Sequence, residues 1–161
     1  MKRREFSTMI GVGAGIFAFP LRDSMAHHGW SSFDESRPLF LSGKVSSVKW
    51  QNPHAELTLQ LSTPLALPAN PANIRFPAQS ASIDGSKLLA SAQLPKHRGS
   101  WNVELAPLTR MQAWKIEPIK IGDEISFIVF TYKDEAGPKV ARAEFLMVGT
   151  NVYGLRSSPQ A

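Results

Sequence analysis

Leu39-Phe40-Leu41-Ser42-Gly43-Lys44-Val45-Ser46-Ser47-Val48-Lys49-Trp50 is the stretch that decides the fold. Side chains alternate along an extended chain with a period of two. Leu41, Gly43 and Val45 fall on one side, whereas Val48 and Trp50 fall on the other. A phase switch near Ser46-Ser47 is what one inserted residue produces, and such a bulge lets a strand curl around a small barrel. The segment is therefore expected to be one long, curling strand.

Outward from it, Gln51-Asn52-Pro53-His54 reads as a turn, because Pro53 has no N–H to give to a ladder. A second strand follows, with Leu57, Leu59 and Leu61 inward and Glu56, Thr58 and Gln60 outward. Trp101, Val103 and Leu105 mark a third strand. Glu124 to Tyr132, after a Gly122-Asp123 turn, is the fourth, and Lys139 to Val148 the fifth, joined by a hairpin loop at Asp134-Glu135-Ala136-Gly137-Pro138. Two short helices are expected. One runs from Lys87 to Gln93, started near Asp84 and stopped by Pro95; the other runs from Arg110 to Ile116, capped by Thr109.

Five strands with the best-placed helix between the third and fourth predict an all-β chain, a five-stranded OB-fold-like Greek-key barrel. Ala141 and Ala143 near Phe145 and Met147 supply the mixture of small and large residues that a tapering interior needs. A plain β-sandwich is the alternative. Strand four is apolar on both faces through Ile128, Phe130 and Tyr132. The long connection at 63–99, with Pro64, Pro68, Pro71, Pro77 and Pro95, is expected to cover the second face, ahead of a partner chain or a ligand.

The N-terminus carries an address. Lys2-Arg3-Arg4 is basic, and a glycine-diluted apolar run follows from Met9 to Phe19. That run is about 11 residues, short of the roughly 20 that span a bilayer core. Ser24-Met25-Ala26 then offers a small-x-small cleavage site. Residues 1–26 thus read as a twin-arginine (Tat) signal peptide cut after Ala26, with no stable membrane anchor left behind and a periplasmic destination. With no cysteine, neither a lipid anchor nor a disulfide framework is available. Cleavage would remove four basic residues (Lys2, Arg3, Arg4, Arg22) and two acidic ones (Glu5, Asp23), lowering the formal net charge from +5 to +3. The sequence pI near 9.7 is thus partly a property of the signal and argues for no nucleic-acid partner. The expected organisation is a signal at 1–26, a loosely structured arm at 27–38, one barrel domain at 39–150 carrying the 63–99 insertion, and a tail at 151–161.

Several motifs recur in order: Ala26-His27-His28, Leu-x-Gly-x-Val-x-x-Val-x-Trp at 41–50, Asn52-Pro53-His54, Trp101-x-Val-Glu104, Leu108-Thr109-Arg110 and Gly122-Asp123. As an ordered set they resemble the exported bacterial proteins of the DUF6152 domain family, over nearly all of residues 27–161 except 63–99. The resemblance implies an exported one-domain protein and supplies no activity.

Four histidines and no cysteine make imidazole the best soft-metal ligand here. Cleavage after Ala26 would let His27 bind through its amine and ring together. With His54, or His97 in the long loop, as a third nitrogen this forms a histidine brace suited to Cu(II), with His28 a further candidate ligand and Glu104 a hydrogen-bond partner for the His54 ring N–H. His97, between Lys96 and Arg98, is expected to be solvated. Glu56 and Glu104 read as outward strand carboxylates, and Asp123 as a turn residue. A His-Glu-x-x-His zinc signature and a Gly-x-Ser-x-Gly elbow are both absent from the sequence. Gly11-x-Gly13-x-Gly15 lies in the signal and is no nucleotide loop. Trp50, Phe127, Phe130 and Tyr132 suggest a base-stacking platform, but export and the weak charge oppose it. The expected function is a non-enzymatic periplasmic binding protein for a small ligand or a protein partner. The alternatives are copper handling through His27, His28 and His54, and an oxidative enzyme at the same brace.

Overall fold

The computed structural model describes residues 29–160. Its six strands are β1 (Leu39–Lys49), β2 (Glu56–Leu61), β3 (Ser100–Glu104), β4 (Glu124–Thr131), β5 (Val140–Val148) and β6 (Asn151–Gly154). Helix α1 (Gly85–Ser91) lies in the insertion, and α2 (Leu108–Ala113) lies between β3 and β4. The sheet runs β3-β2-β1-β4-β5-β6, and a parallel pairing of β3 with β5 closes the first five strands into a barrel. The expected all-β, five-stranded barrel is the observed fold, here closed by the β3–β5 pairing, with the short helix between its third and fourth strands.

The phase switch in β1 is a real bulge. Its register against β2 shifts between Val45 and Ser47, so Leu39, Leu41 and Val45 point inward before it and Val48 packs against the core after it. Gly43 sits where β1 presses closest on β2. A Cβ there would lie 2.0 Å from the Gln60 carbonyl oxygen, so no other residue fits without moving the strand. The interior is filled by Leu57, Leu59, Trp101, Val103, Phe127 and Val129, opposite Ala141 and Ala143. The two alanines leave room for the large rings. Met111 of α2 belongs to the same core.

Four differences from the sequence expectation have clear physical causes. Helix α2 starts at Leu108, not Arg110, because Pro107 presets the entry and takes the cap position in place of Thr109. Helix α1 begins at Gly85, two residues early; Asp84 caps it by accepting the Lys87 N–H at 3.0 Å. Residues 151–154, read as tail, form β6 on the edge of β5 that β3 leaves free. Gly149, with φ +58°, starts the two-residue turn that brings them back. The arm before β1 is also docked. Phe33 is buried and stacked on Tyr132 at 5.3 Å, and the Asp34 N–H donates to the Thr131 carbonyl at 2.8 Å.

Candidate functional site

Reading along β4, the outward side chains are Glu124, Ser126, Ile128 and Phe130, because Ile125, Phe127 and Val129 fill the barrel. Each forms a row with its neighbours across the sheet. Ile128 lies between Phe40 and Phe145, and this row is roofed by Phe76, Leu89 and Ala92 of the insertion. Phe76 meets Phe145 edge-on at 4.9 Å. Phe130 is covered instead by the arm, with the Trp30 ring at 6.4 Å. The second apolar face of strand four is thus covered by the 63–99 insertion, helped by the arm.

One row keeps an open roof. Ser126 lies between Ser42 and Met147, and its hydroxyl donates to that of Ser42 at 2.9 Å. Above this row is a cleft of about 980 Å³. Phe40, Ile125, Met147 and Val152 give it apolar surface. One wall is the early insertion, from Ser62 to Arg75, and the other is the β5–β6 turn at Gly149-Thr150. The exposed Lys44–Glu124 pair, 3.8 Å apart, sits at its mouth.

The insertion is held by specific bonds. Phe76 lies on Gly85, where a Cβ would come within 2.2 Å of the ring. Gln79 accepts the Ser157 N–H at 3.0 Å and donates to Glu144 at 3.4 Å. Glu144 is the extra residue of a second bulge, between Ile128 and Val129 of β4, and is fully buried. Burial raises its carboxyl above the usual glutamate value, although Arg156 donates to it at 2.8 Å. At the insertion's far end, buried Glu135 accepts the Lys96 N–H at 2.9 Å, the His97 N–H at 3.3 Å and Arg37 at 2.7 Å. Burial alone would raise this carboxyl too. The bonds from Lys96, Arg37 and His97 outweigh it and hold the group below its usual value.

A second, smaller hollow of about 270 Å³ lies at one end of the barrel. His54, Arg110 and Arg142 are its polar wall, and Trp30, Leu105, Pro107 and Leu155 its apolar one. Arg142 Nη2 stands 3.3 Å from His54 Nε2, and Arg142 Nε stands 3.6 Å from Glu104 Oε2. A guanidinium only donates, so in a hydrogen bond between the two His54 Nε2 is the acceptor. Glu104 is not an outward strand carboxylate as expected: closure of β3 onto β5 sets it opposite Arg142 and buries it. Its other register partner, Glu56, pairs with Lys49 at 3.7 Å. Asp123 does serve the turn, accepting the Lys120 N–H at 2.8 Å.

The other proposed site residues, His27 and His28, lie outside the described residues, as do Arg3, Arg4 and Ala26 of the signal. Among the described residues no three His, Asp or Glu side chains gather as a metal group, and no helix is long and apolar enough to cross a membrane. Phe127 and Phe130 are buried in separate clusters, so the four suggested aromatics do not share one exposed face. Sequence reasoning missed Arg110, Arg142 and Trp30. The available signal was Arg142 and Glu144 in an otherwise apolar strand, since buried charges there need partners.

No curated protein and no solved structure matches the chain. A family model does match, over residues 18–68, which span the Ala-His-His, Leu-x-Gly and Asn-Pro-His motifs but not those at 101–123. By residues 18–68 the chain matches the family of unknown function DUF6152, as the ordered motifs predict.

Proposed function

We propose that this protein is exported to the periplasm and acts there as a non-enzymatic binding protein, taking a small amphiphilic molecule in the cleft over Ser42 and Ser126. The observation that carries the reading is the open row itself. The insertion roofs Phe40, Ile128 and Phe145 yet stands off from the next row, leaving about 980 Å³, the size of a small-molecule site. Its floor offers apolar surface from Met147 and Val152 beside a pair of hydroxyls. That combination suits an apolar body with one or two hydrogen-bonding groups. Export is supported by Arg3-Arg4, the short apolar run and Ala26.

N-phenyl-1-naphthylamine, an uncharged probe that brightens in apolar sites, tests the cleft. The protein should bind it saturably, and Ser126→Trp, which fills the floor, should abolish the signal. Equal binding by that variant would overturn the reading. The N-terminal mass of the exported protein tests the address; cleavage after Ala26 is the expected result.

Copper handling through His27, His28 and His54 is the second reading. It is favoured by Gly29 lining the same hollow as His54, which puts the wall one residue from His28. Arg110 and Arg142 in that wall oppose a dication. Copper titration of the processed protein decides it: unchanged affinity in His54→Ala ends this reading.

A further inference from the structure

The hollow at the barrel end has a charge arrangement that the cleft lacks. Three arginines converge around Trp30. Arg156 lies over its ring at 3.6 Å and Arg142 at 5.2 Å, while Arg110 lines the hollow beside Arg142. The carboxylates that answer them stand outside that wall. Glu35 and Glu144 pair with Arg156 at 2.9 and 2.7 Å, and Glu104 pairs with Arg142 from the β3 side. Arg110 donates to the Leu155 carbonyl at 3.0 Å, and no carboxylate ion-pairs with it among the described residues. The wall facing the hollow is therefore cationic, with two guanidiniums and an imidazole whose Nε2 holds Arg142 in place.

We propose that this hollow binds a small organic carboxylate, its carboxylate group between Arg110 and Arg142 and its short carbon chain against Trp30, Pro107 and Leu155. Guanidiniums take carboxylates through paired, charge-assisted hydrogen bonds, which are stronger than neutral ones. The indole, proline and leucine surfaces offer nothing to an inorganic anion but do suit a few methylene groups. A cation is disfavoured by the same arginines that attract the acid. Burial makes the charge on Arg142 costly to keep, and Arg110 and Arg156 add to that cost while Glu104 offsets it. A bound carboxylate would relieve this crowding.

The proposal is independent of the cleft, and the test keeps the two apart. Butyrate is the probe and butyramide its uncharged counterpart, titrated by calorimetry at low salt and followed by the Trp30 indole N–H resonance. Butyrate should bind saturably and shift that resonance; butyramide should do neither. Arg110→Gln should weaken butyrate binding about tenfold or more, Arg110→Lys should restore part of it, and Ser126→Trp should leave it unchanged. Equal binding of butyramide, an unmoved Trp30 signal, or full affinity in a folded Arg110→Gln protein would each overturn the proposal. If Arg110→Gln fails to fold, the wild-type contrast between butyrate and butyramide at Trp30 still decides.

Discussion

Two rows of one sheet face, two residues apart along β4, behave oppositely. At Ile128 the outer surface is part of a buried second core with Phe40, Phe145, Phe76 and Leu89. At Ser126 the same surface is the floor of a cleft. The barrel backbone is continuous through both, so the difference lies in the side chains. Phe40, Ile128 and Phe145 present apolar area that must be buried, and the insertion is drawn down on them. Ser126 donates to Ser42 at 2.9 Å, and these small polar side chains exert no such pull. An insertion on a five-stranded barrel thus leaves a cleft by covering one row and stopping short of the next.

The comparison breaks most severely at the covered row. Phe145→Ala should cost about 3–5 kcal/mol in chemical denaturation, because the ring is fully buried and packs edge-on against Phe76. Cleft binding of the naphthylamine probe should weaken with it, since the roof is anchored there. A smaller loss, about 3 kcal/mol, is expected for Glu135→Ala, which leaves Arg37 and the Lys96 N–H without their buried acceptor. Gly85→Ala should cost about 1–3 kcal/mol by driving a methyl group into the Phe76 ring. The open row should respond least: Ser126→Val should change stability by about 0.5 kcal/mol or less, while altering probe binding.

The two carboxylates that anchor the insertion sharpen the comparison through pH. Glu135 is held below its usual value, so the folded protein binds fewer protons there than the unfolded chain. Its stabilisation is present at neutral pH and is lost as pH falls through the usual glutamate value, about 4.3, towards the folded one. Glu144 is raised by burial, so its contribution has the opposite sign and declines as pH rises between the usual value and the folded one. Urea denaturation of Glu135→Gln and Glu144→Gln checks this. The cost of the first should be larger at pH 7 than at pH 4, and that of the second larger at pH 4. Parallel pH profiles would refute the assignment.

Much of the barrel was legible because its signals are local. The alternation at Leu57, Leu59 and Leu61 and the phase switch at Ser46-Ser47 each fix a strand's faces within a few residues. The need for a cover over Ile128 and Phe130 was legible too, since a strand apolar on both faces demands one. Strand β6 was not, because four residues carry too little periodicity and only Gly149 marks the turn. Glu104 was misplaced for a different reason. Alternation tells which face a residue takes in its own strand, but the parallel β3–β5 contact that buries it comes from residues 38 positions away.

The sequence by itself determined the five barrel strands, the bulge that curls β1, the existence of a covered second face and the signal-like N-terminus. Each follows from residue types within a short window, where steric preference and hydrophobic periodicity act directly. Only the tertiary structure decided that the insertion spares the Ser42–Ser126 row, and that Arg142 stands between His54 and Glu104. It also decided that Arg110 faces the same hollow as Trp30. Those relations join residues far apart in the chain, and they exist only once ring closure and long-range burial bring them together.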